Sequence, residues 1–391
     1  MNFLAGKNKT IPLSVPNFIG NELKYVTEAI KAEWVSTAGP YVESFERKIA
    51  DYVGAYGAVA CQNGTSGLHV ALLINGVKRD QEVIVPTLTF IAAVNPIRYI
   101  GAEPIFMDCD DSLCIDPEKL KEFCSKECSL VNGNLFHLKT KKEIRCLVVV
   151  HVFGNMADME SIMEIAREYN LKVVEDATEA IGTYYTSGKY KGKYAGMIGD
   201  TGVYSFNGNK IITTGGGGMV VTNDVELLKN ARYLTTQAKS DALYYVHDEI
   251  GYNYRMTNLQ AALGLAQLEE LEDFIRIKRI NFERYQTKIA NICGLRLLDI
   301  RQEIRGNYWF YALYCDISYE KTRDEIIEYL NQNEIQVRPI WGLIHEQRPY
   351  KNSVAYRIEK AKNYWQHVIN IPCSTKLTEN EIDRVVKYLA G

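Results

Sequence analysis

Across residues 55–222 the chain alternates short runs rich in β-branched residues with longer stretches whose apolar residues recur at helical spacing. That alternation constrains the fold more than any other feature, because each pair of parallel strands needs a crossover between them, usually a helix laid on the sheet. The strand candidates are 58–61, 82–85, 104–107, 146–152, 172–175, 202–206 and 218–222, with helical stretches at 66–75, 91–100 and 157–169. The pattern predicts an α/β fold on a mostly parallel sheet, with ligands bound at the carboxyl ends of the strands.

Further on, 256–290 reads as one long helix or two broken ones, with Leu268, Leu271 and Ile275 on one face. After Cys293 the pattern changes to a strand-like aromatic run at 308–314, a helix at 321–332, a strand at 335–338 and a last helix opened by Thr378 and Glu381, a capping box. The expected organisation is a large α/β domain over 1–255, a linking helix over 256–290 and a smaller α+β domain over 291–391. Residues 123–143, rich in Lys, Glu and Cys, read as a surface insertion.

Charge and hydropathy remove several function classes. With 45 basic and 48 acidic residues the net charge is -3, which gives no electrostatic footprint for nucleic acid, so an anionic ligand has to be held locally. No apolar stretch approaches the roughly 20 residues that span a bilayer, and residues 1–10 lack the apolar centre of a secretory leader; a cytoplasmic location is expected. Nine scattered cysteines suit reduced thiols better than a disulfide framework. Cys124 and Cys128 are the only close pair, and neither Cys-x-x-Cys nor His-Glu-x-x-His occurs, so no metal site is expected.

The chemistry-bearing residues gather where strands end. Lys210 closes Ser205-Phe206-Asn207-Gly208-Asn209-Lys210, between a β-like run and the four glycines 215–218. An amine presented from a tight turn, with flexible backbone beside it, is placed to form a Schiff base with a carbonyl. Asn63-Gly64-Thr65-Ser66-Gly67 follows a strand and opens an apolar helix; its hydroxyls and N–H groups either cap that helix or form an anion cup at its N-terminus. Asp176 ends another buried strand, where a bare carboxylate needs a cationic neighbour. It either caps a following helix, with Glu179 completing a capping box, or pairs with a protonated pyridine nitrogen. Phe90 either packs in the core or stacks on a flat ring, and Ser205 is placed to add a hydroxyl to a phosphate. The Walker pattern is absent, as is G-x-G-x-x-G after the first strand, which disfavours nucleoside triphosphates and dinucleotides. A lysine, an acid, a hydroxyl-rich helix start and an aromatic face together describe a site for pyridoxal 5'-phosphate.

Six motifs occur in order: Asn63-Gly64-Thr65-Ser66, Val85-Pro86-Thr87-Leu88-Thr89-Phe90, His151-Val152-Phe153-Gly154-Asn155, Glu175-Asp176-Ala177-Thr178-Glu179, 205–210 with 215–218, and Gly251-Tyr252-Asn253-Tyr254-Arg255. Over 11–389 the chain thereby resembles the DegT/DnrJ/EryC1/StrS family of pyridoxal-phosphate-dependent nucleotide-sugar aminotransferases. Within it, Ile11-Pro12-Leu13-Ser14-Val15-Pro16, Trp34-Val35-Ser36-Thr37 and Thr235-Thr236-Gln237-Ala238-Lys239 look like the LegC-type enzymes of legionaminic acid pathways. The resemblance implies an aspartate-aminotransferase-like (type I) fold and Lys210 as the catalytic, covalent lysine. It implies cofactor contacts from Gly64, Thr65, Ser66, Phe90, Asp176, Glu179 and Ser205. Asn253 matches a residue that reaches the phosphate of the neighbouring subunit, implying a homodimer with shared sites. Many relatives carry Gln or His where this chain has Glu179, a position facing the cofactor's 3'-oxygen. Some sugar dehydratases of the family lack the lysine and use histidine, and Lys210 argues against that variant.

The reaction so implied takes the amino group of L-glutamate to the 4-keto carbon of a UDP- or GDP-linked 6-deoxy hexose. A 3-keto-sugar aminotransferase and a non-catalytic regulatory protein of the same fold are the alternatives. Trp34, Ser36, Thr37, Lys239, Arg338, Trp341 and His345 are the candidates for the sugar-nucleotide cleft.

Overall fold

A computed structural model describes residues 10–241 and 243–391. Seven strands form the body of the large sheet: β1 Gly57–Cys61, β2 Glu82–Pro86, β3 Glu103–Met107, β4 Glu143–Val150, β5 Lys172–Asp176, β6 Thr201–Ser205 and β7 Gly218–Thr222. Their spatial order is β1-β7-β6-β5-β4-β2-β3. The β2–β6 neighbours run parallel, whereas β7 is antiparallel to both β1 and β6. The reason lies in the connections: residues 206–217 contain no helix, so after β6 the chain turns straight back as β7. Strands β2, β6 and β7 are buried at every position, as a sheet covered on both faces requires. The carboxyl ends of β1, β2, β4, β5 and β6, with the start of the reversed β7, share one edge of the sheet.

The smaller unit is a four-stranded antiparallel sheet of Leu295–Leu297, Tyr311–Cys315, Val368–Ile371 and Arg338–Pro339, covered by helices Arg323–Gln332 and Glu379–Ala390. Thr378 and Glu381 form the expected capping box. Its core of Phe282, Tyr285, Tyr311 and Leu330 is separate from that of the large sheet.

Three features depart from the sequence reading, and the open choice for 256–290 falls on its second alternative. The boundary between the two units is not sequential: Ile11 lies in the small core and pairs with Ile335, while β8, Val354–Tyr356, runs parallel to β3 at the outer edge of the large sheet. The segment 256–290 is two helices, Asn258–Glu269 and Leu271–Ile289, broken at Glu270. Residues 123–143 are not a surface insertion: after helix Pro117–Lys126 comes a hairpin, Cys128–Val131 and Asn134–His137, whose second strand pairs with β4. Apolar Phe123, Cys124 and Leu135 are buried there among the charges. Finally, the second half of the glycine run gives close packing, since a Cβ on Gly218 would meet the Asn63 carbonyl carbon at 2.5 Å, whereas Gly215 sits at φ 79° with open space around it.

All nine cysteines are free, and eight are buried. Among the described residues no cluster of His, Cys, Asp and Glu is arranged to hold a metal, and no helix is long and apolar enough to cross a membrane.

Candidate active site

A cavity of about 300 Å³ opens at the carboxyl edge of the large sheet. Where β1 ends, Asn63 Oδ1 accepts the Ser66 N–H at 2.8 Å, so Asn63 caps helix Gly64–Ile74 and the Thr65 hydroxyl is left to the cavity wall. A Cβ on Gly64 would lie 3.0 Å from Ser205 Cβ and from Thr178 Cγ2, so this turn, the end of β6 and the turn after β5 meet at one point. Thr65, Thr178 and Ser205 line the cavity together at a helix N-terminus, a cradle suited to an anion. Ser66 is buried and off that wall.

Two successive carboxylates on β5 have opposite fates. Glu175 is saturated: its oxygens accept from Gly196, Ile198 and Gly199 N–H groups and lie 2.8 Å from His151 Nε2. Because His151 Nδ1 accepts the Ala157 N–H, the ring proton is assigned to Nε2 and faces Glu175. Asp176, 3 % exposed, accepts the Thr178 N–H at 3.1 Å, and no helix follows it, so the expected helix cap is not formed. Burial holds its carboxyl above the ordinary range, against the pull of Thr178 and Lys210. A buried, sparsely bonded carboxylate on a cavity wall fits a protonated ring nitrogen.

Glu179 forms no capping box either. Its Oε2 accepts the Phe153 N–H at 2.8 Å and its Oε1 stands 3.7 Å from Lys210 Nζ. Burial pushes Glu179 up to about 7, with the Lys210 charge and the Phe153 N–H opposing it. The Lys210 side chain is 13 % exposed; burial lowers its pKa, and Glu179 and Asp176 pull it back up. On its other side the ammonium lies 4.0 Å from the ring centre of Trp309. Trp309 stacks on Phe310 at 4.0 Å, and Phe153 packs against Trp341 at 4.8 Å, so an aromatic wall faces the lysine.

Sequence reasoning did not single out Thr178, Trp309 or Phe310 as lining residues. Thr178 stood in view two residues after Asp176, a hydroxyl on the turn that follows a strand. Trp309 carried no such signal, because an aromatic run is read first as core.

The sequence matches the DegT/DnrJ/EryC1/StrS aminotransferase family over residues 17–390. The chain belongs to this family. It is 37 % identical to the GDP-perosamine synthase of Caulobacter vibrioides, with 97 % of each chain covered. It is 28 % identical to the UDP-4-amino-4,6-dideoxy-N-acetyl-beta-L-altrosamine transaminase of Campylobacter jejuni, over 94 % of this chain and 93 % of that one. The fold is shared with DesI, solved with its TDP-sugar product, at a TM-score of 0.86 and 26 % identity, over 98 % of this chain and 93 % of that one. The protein is a pyridoxal-phosphate-dependent aminotransferase, of the nucleotide-sugar family.

The other expected residues of this aminotransferase scatter. Phe90, 54 % exposed, and Trp341 lie on the cavity wall. Trp34, Ser36 and Thr37 do not: the Trp34 and Ser36 carbonyls are tied to Asn258 at the start of the linking helices. His345 Nδ1 is 2.7 Å from Thr87 Oγ1, behind the wall, and Arg338 is exposed on its own short strand. Lys239 sits in a two-stranded ribbon, its ammonium 5.2 Å from the Tyr245 ring centre. Asn253 is exposed, while Tyr252 and Tyr254 on either side of it stack together at 4.9 Å. A backbone with side-chain period two therefore turns Asn253 away from that pair.

Proposed function

We propose that this aminotransferase moves the amino group of L-glutamate to the 4-keto carbon of a nucleotide-linked 4-keto-6-deoxy hexose. The product is then a 4-amino-4,6-dideoxy sugar for nonulosonic acid or other surface-glycan synthesis. The observation that carries this reading is one buried lysine set between a carboxylate and an aromatic wall, beside a second buried acid and a hydroxyl-lined helix start. The relatives' names support position 4, one on GDP and one on UDP.

Pyridoxal phosphate, when bound, supplies an aldehyde and an electron-withdrawing ring. Gly64, Thr65, Ser205 and Thr178 would hold its phosphate, Asp176 its ring nitrogen and Phe90 its face. Lys210 would hold the aldehyde in the resting enzyme, and as a free amine it takes and returns the proton at the reacting carbon, which its buried, pKa-lowered amine suits. Glu179 keeps an ionisable group beside that amine. The apolar wall of Trp309, Phe310 and Trp341 excludes water from the proton transfers. A homodimer with Asn253 reaching the neighbouring site, and a cytoplasmic location, belong to the same reading.

The test supplies L-glutamate with 4-keto-6-deoxy sugars on UDP and on GDP, with and without a 2-acetamido group, beside a 3-keto counterpart. Amine at C4, located by NMR, is the expected product. A GDP sugar without the acetamido group as best substrate would favour the perosamine-like pathway over the legionaminic one. Amination at C3 alone, or none with any sugar, would overturn the proposal.

A further inference from the structure

Trp309 is held at every polar atom it has. Its backbone N–H donates to Asn307 Oδ1 at 2.9 Å, its carbonyl accepts from Lys278 Nζ at 2.9 Å, and its indole Nε1–H donates to the Asn209 carbonyl at 2.7 Å. Lys278 is itself 2 % exposed and also donates to the Cys373 carbonyl at 2.7 Å. Asn307 donates to the carbonyls of Glu179 and Ile181, so one side chain joins the backbone of Trp309 to that of Glu179. The ring, 2 % exposed, therefore has a fixed place, and the Lys210 ammonium lies over its face. Indole is the strongest of the aromatic seats for a cation.

We propose that Trp309 is a positioning residue for Lys210: its ring is the seat of the free ammonium, and its indole N–H pins the loop from which the lysine reaches. This rests on Lys210 being the cofactor lysine. Over one full cycle that lysine is displaced in the first half-reaction and must return to the same carbon at the end of the second, and a fixed seat sets where it waits and favours its charged form meanwhile. The charged groups facing the amine from the packed elements are Asp176, the last residue of β5, and Glu179 on the turn after it; both also favour the ammonium. The ring is thus one of three groups holding the proton, and the only one that lies outside the large domain's strand ends.

The experiment uses the full-length, cofactor-free enzyme and no sugar. Lys210 is labelled with trinitrobenzenesulfonate across a range of pH, and the rate at that residue is followed by peptide mass mapping. Trp309→Leu should move the profile to lower pH and raise the neutral-pH rate roughly two- to tenfold. Trp309→Phe, which keeps a ring face but loses the N–H, should stay near wild type in that profile and, once loaded with pyridoxal phosphate in a separate measurement, exchange cofactor faster. An unchanged profile in Trp309→Leu overturns the seat, and unchanged exchange in Trp309→Phe overturns the pin. A second measurement needs no change at the tryptophan: wild-type tryptophan emission should titrate with pH, and the step should vanish in Lys210→Met. Persistence of that step in Lys210→Met also overturns the seat. Failure of these tests leaves the sugar reaction standing, and failure of the sugar panel leaves them intact.

Discussion

Lys210 stands where three groups favour its charged form and one condition opposes it. Glu179, Asp176 and the Trp309 face draw the proton on; burial drives it off. A covalent lysine needs that balance, because only the neutral amine attacks while only the charged one returns a proton. Lys210→Ala should abolish turnover and the visible absorption of the lysine-linked cofactor; a retained spectrum would show that another group holds the aldehyde. Glu179 gives a sharper test. It ionises near 7 in the folded chain, against 4.5 when unperturbed, so between these values the fold keeps a proton that the unfolded chain has released. Its contribution to stability is full below about 4.5 and is lost as pH rises through about 7. In the cofactor-free protein, Glu179→Gln should therefore lose less thermal stability than wild type between about pH 5 and about pH 8, read as Tm at each pH.

At the scale of elements, the site depends on turns rather than on strands. The turn after β4 places Phe153 at φ 56° and Gly154 at φ 85°, and aims the Phe153 N–H at Glu179. A Cβ on Gly154 would fall 1.8 Å from Asn307 Oδ1, the atom that accepts from Trp309. Gly154→Ala should cost about 2–4 kcal/mol in denaturant unfolding and lower cofactor affinity as well, since it disturbs Asn307 and its neighbours together. This coupling was invisible in the sequence. Lys210, Asp176 and the Asn63–Ser66 run were legible because each lies within a few residues of the end of a β-rich run, where the fold class itself says ligands bind. Trp309 reaches the cavity, with Asn307 buried behind it, only through the docking of the small unit, which no local spacing records. The caps misled in an instructive way: Asp176-Ala177-Thr178-Glu179 has the letters of a helix start, yet Glu179 bonds Phe153 from another turn and no helix forms.

Across the whole molecule the chain crosses between its two units more often than the order of its patterns suggested. Residues 11–15 dock on the small unit, and β8 returns from the C-terminal third to the large sheet. Asn253 faces away from its own stacked tyrosines, which suits a residue lent to a second copy. If Asn253→Ala alone is inactive, mixing it with Lys210→Ala should restore activity, because one site of each mixed dimer receives both intact residues. Random exchange would return roughly a quarter of wild-type turnover, and none if the sites are not shared. The late strand has a further consequence. As the chain leaves the ribosome, β3 emerges with one edge bare, and the residues that cover it, 354–356, come long after it in the chain. Until residue 354 is made the nascent sheet therefore offers an open row of backbone groups to any passing strand. A chain stopped before residue 354 should collect in the insoluble fraction of an expressing cell while the full chain stays in the supernatant, so that adding this outer strand is what makes the product safe to release.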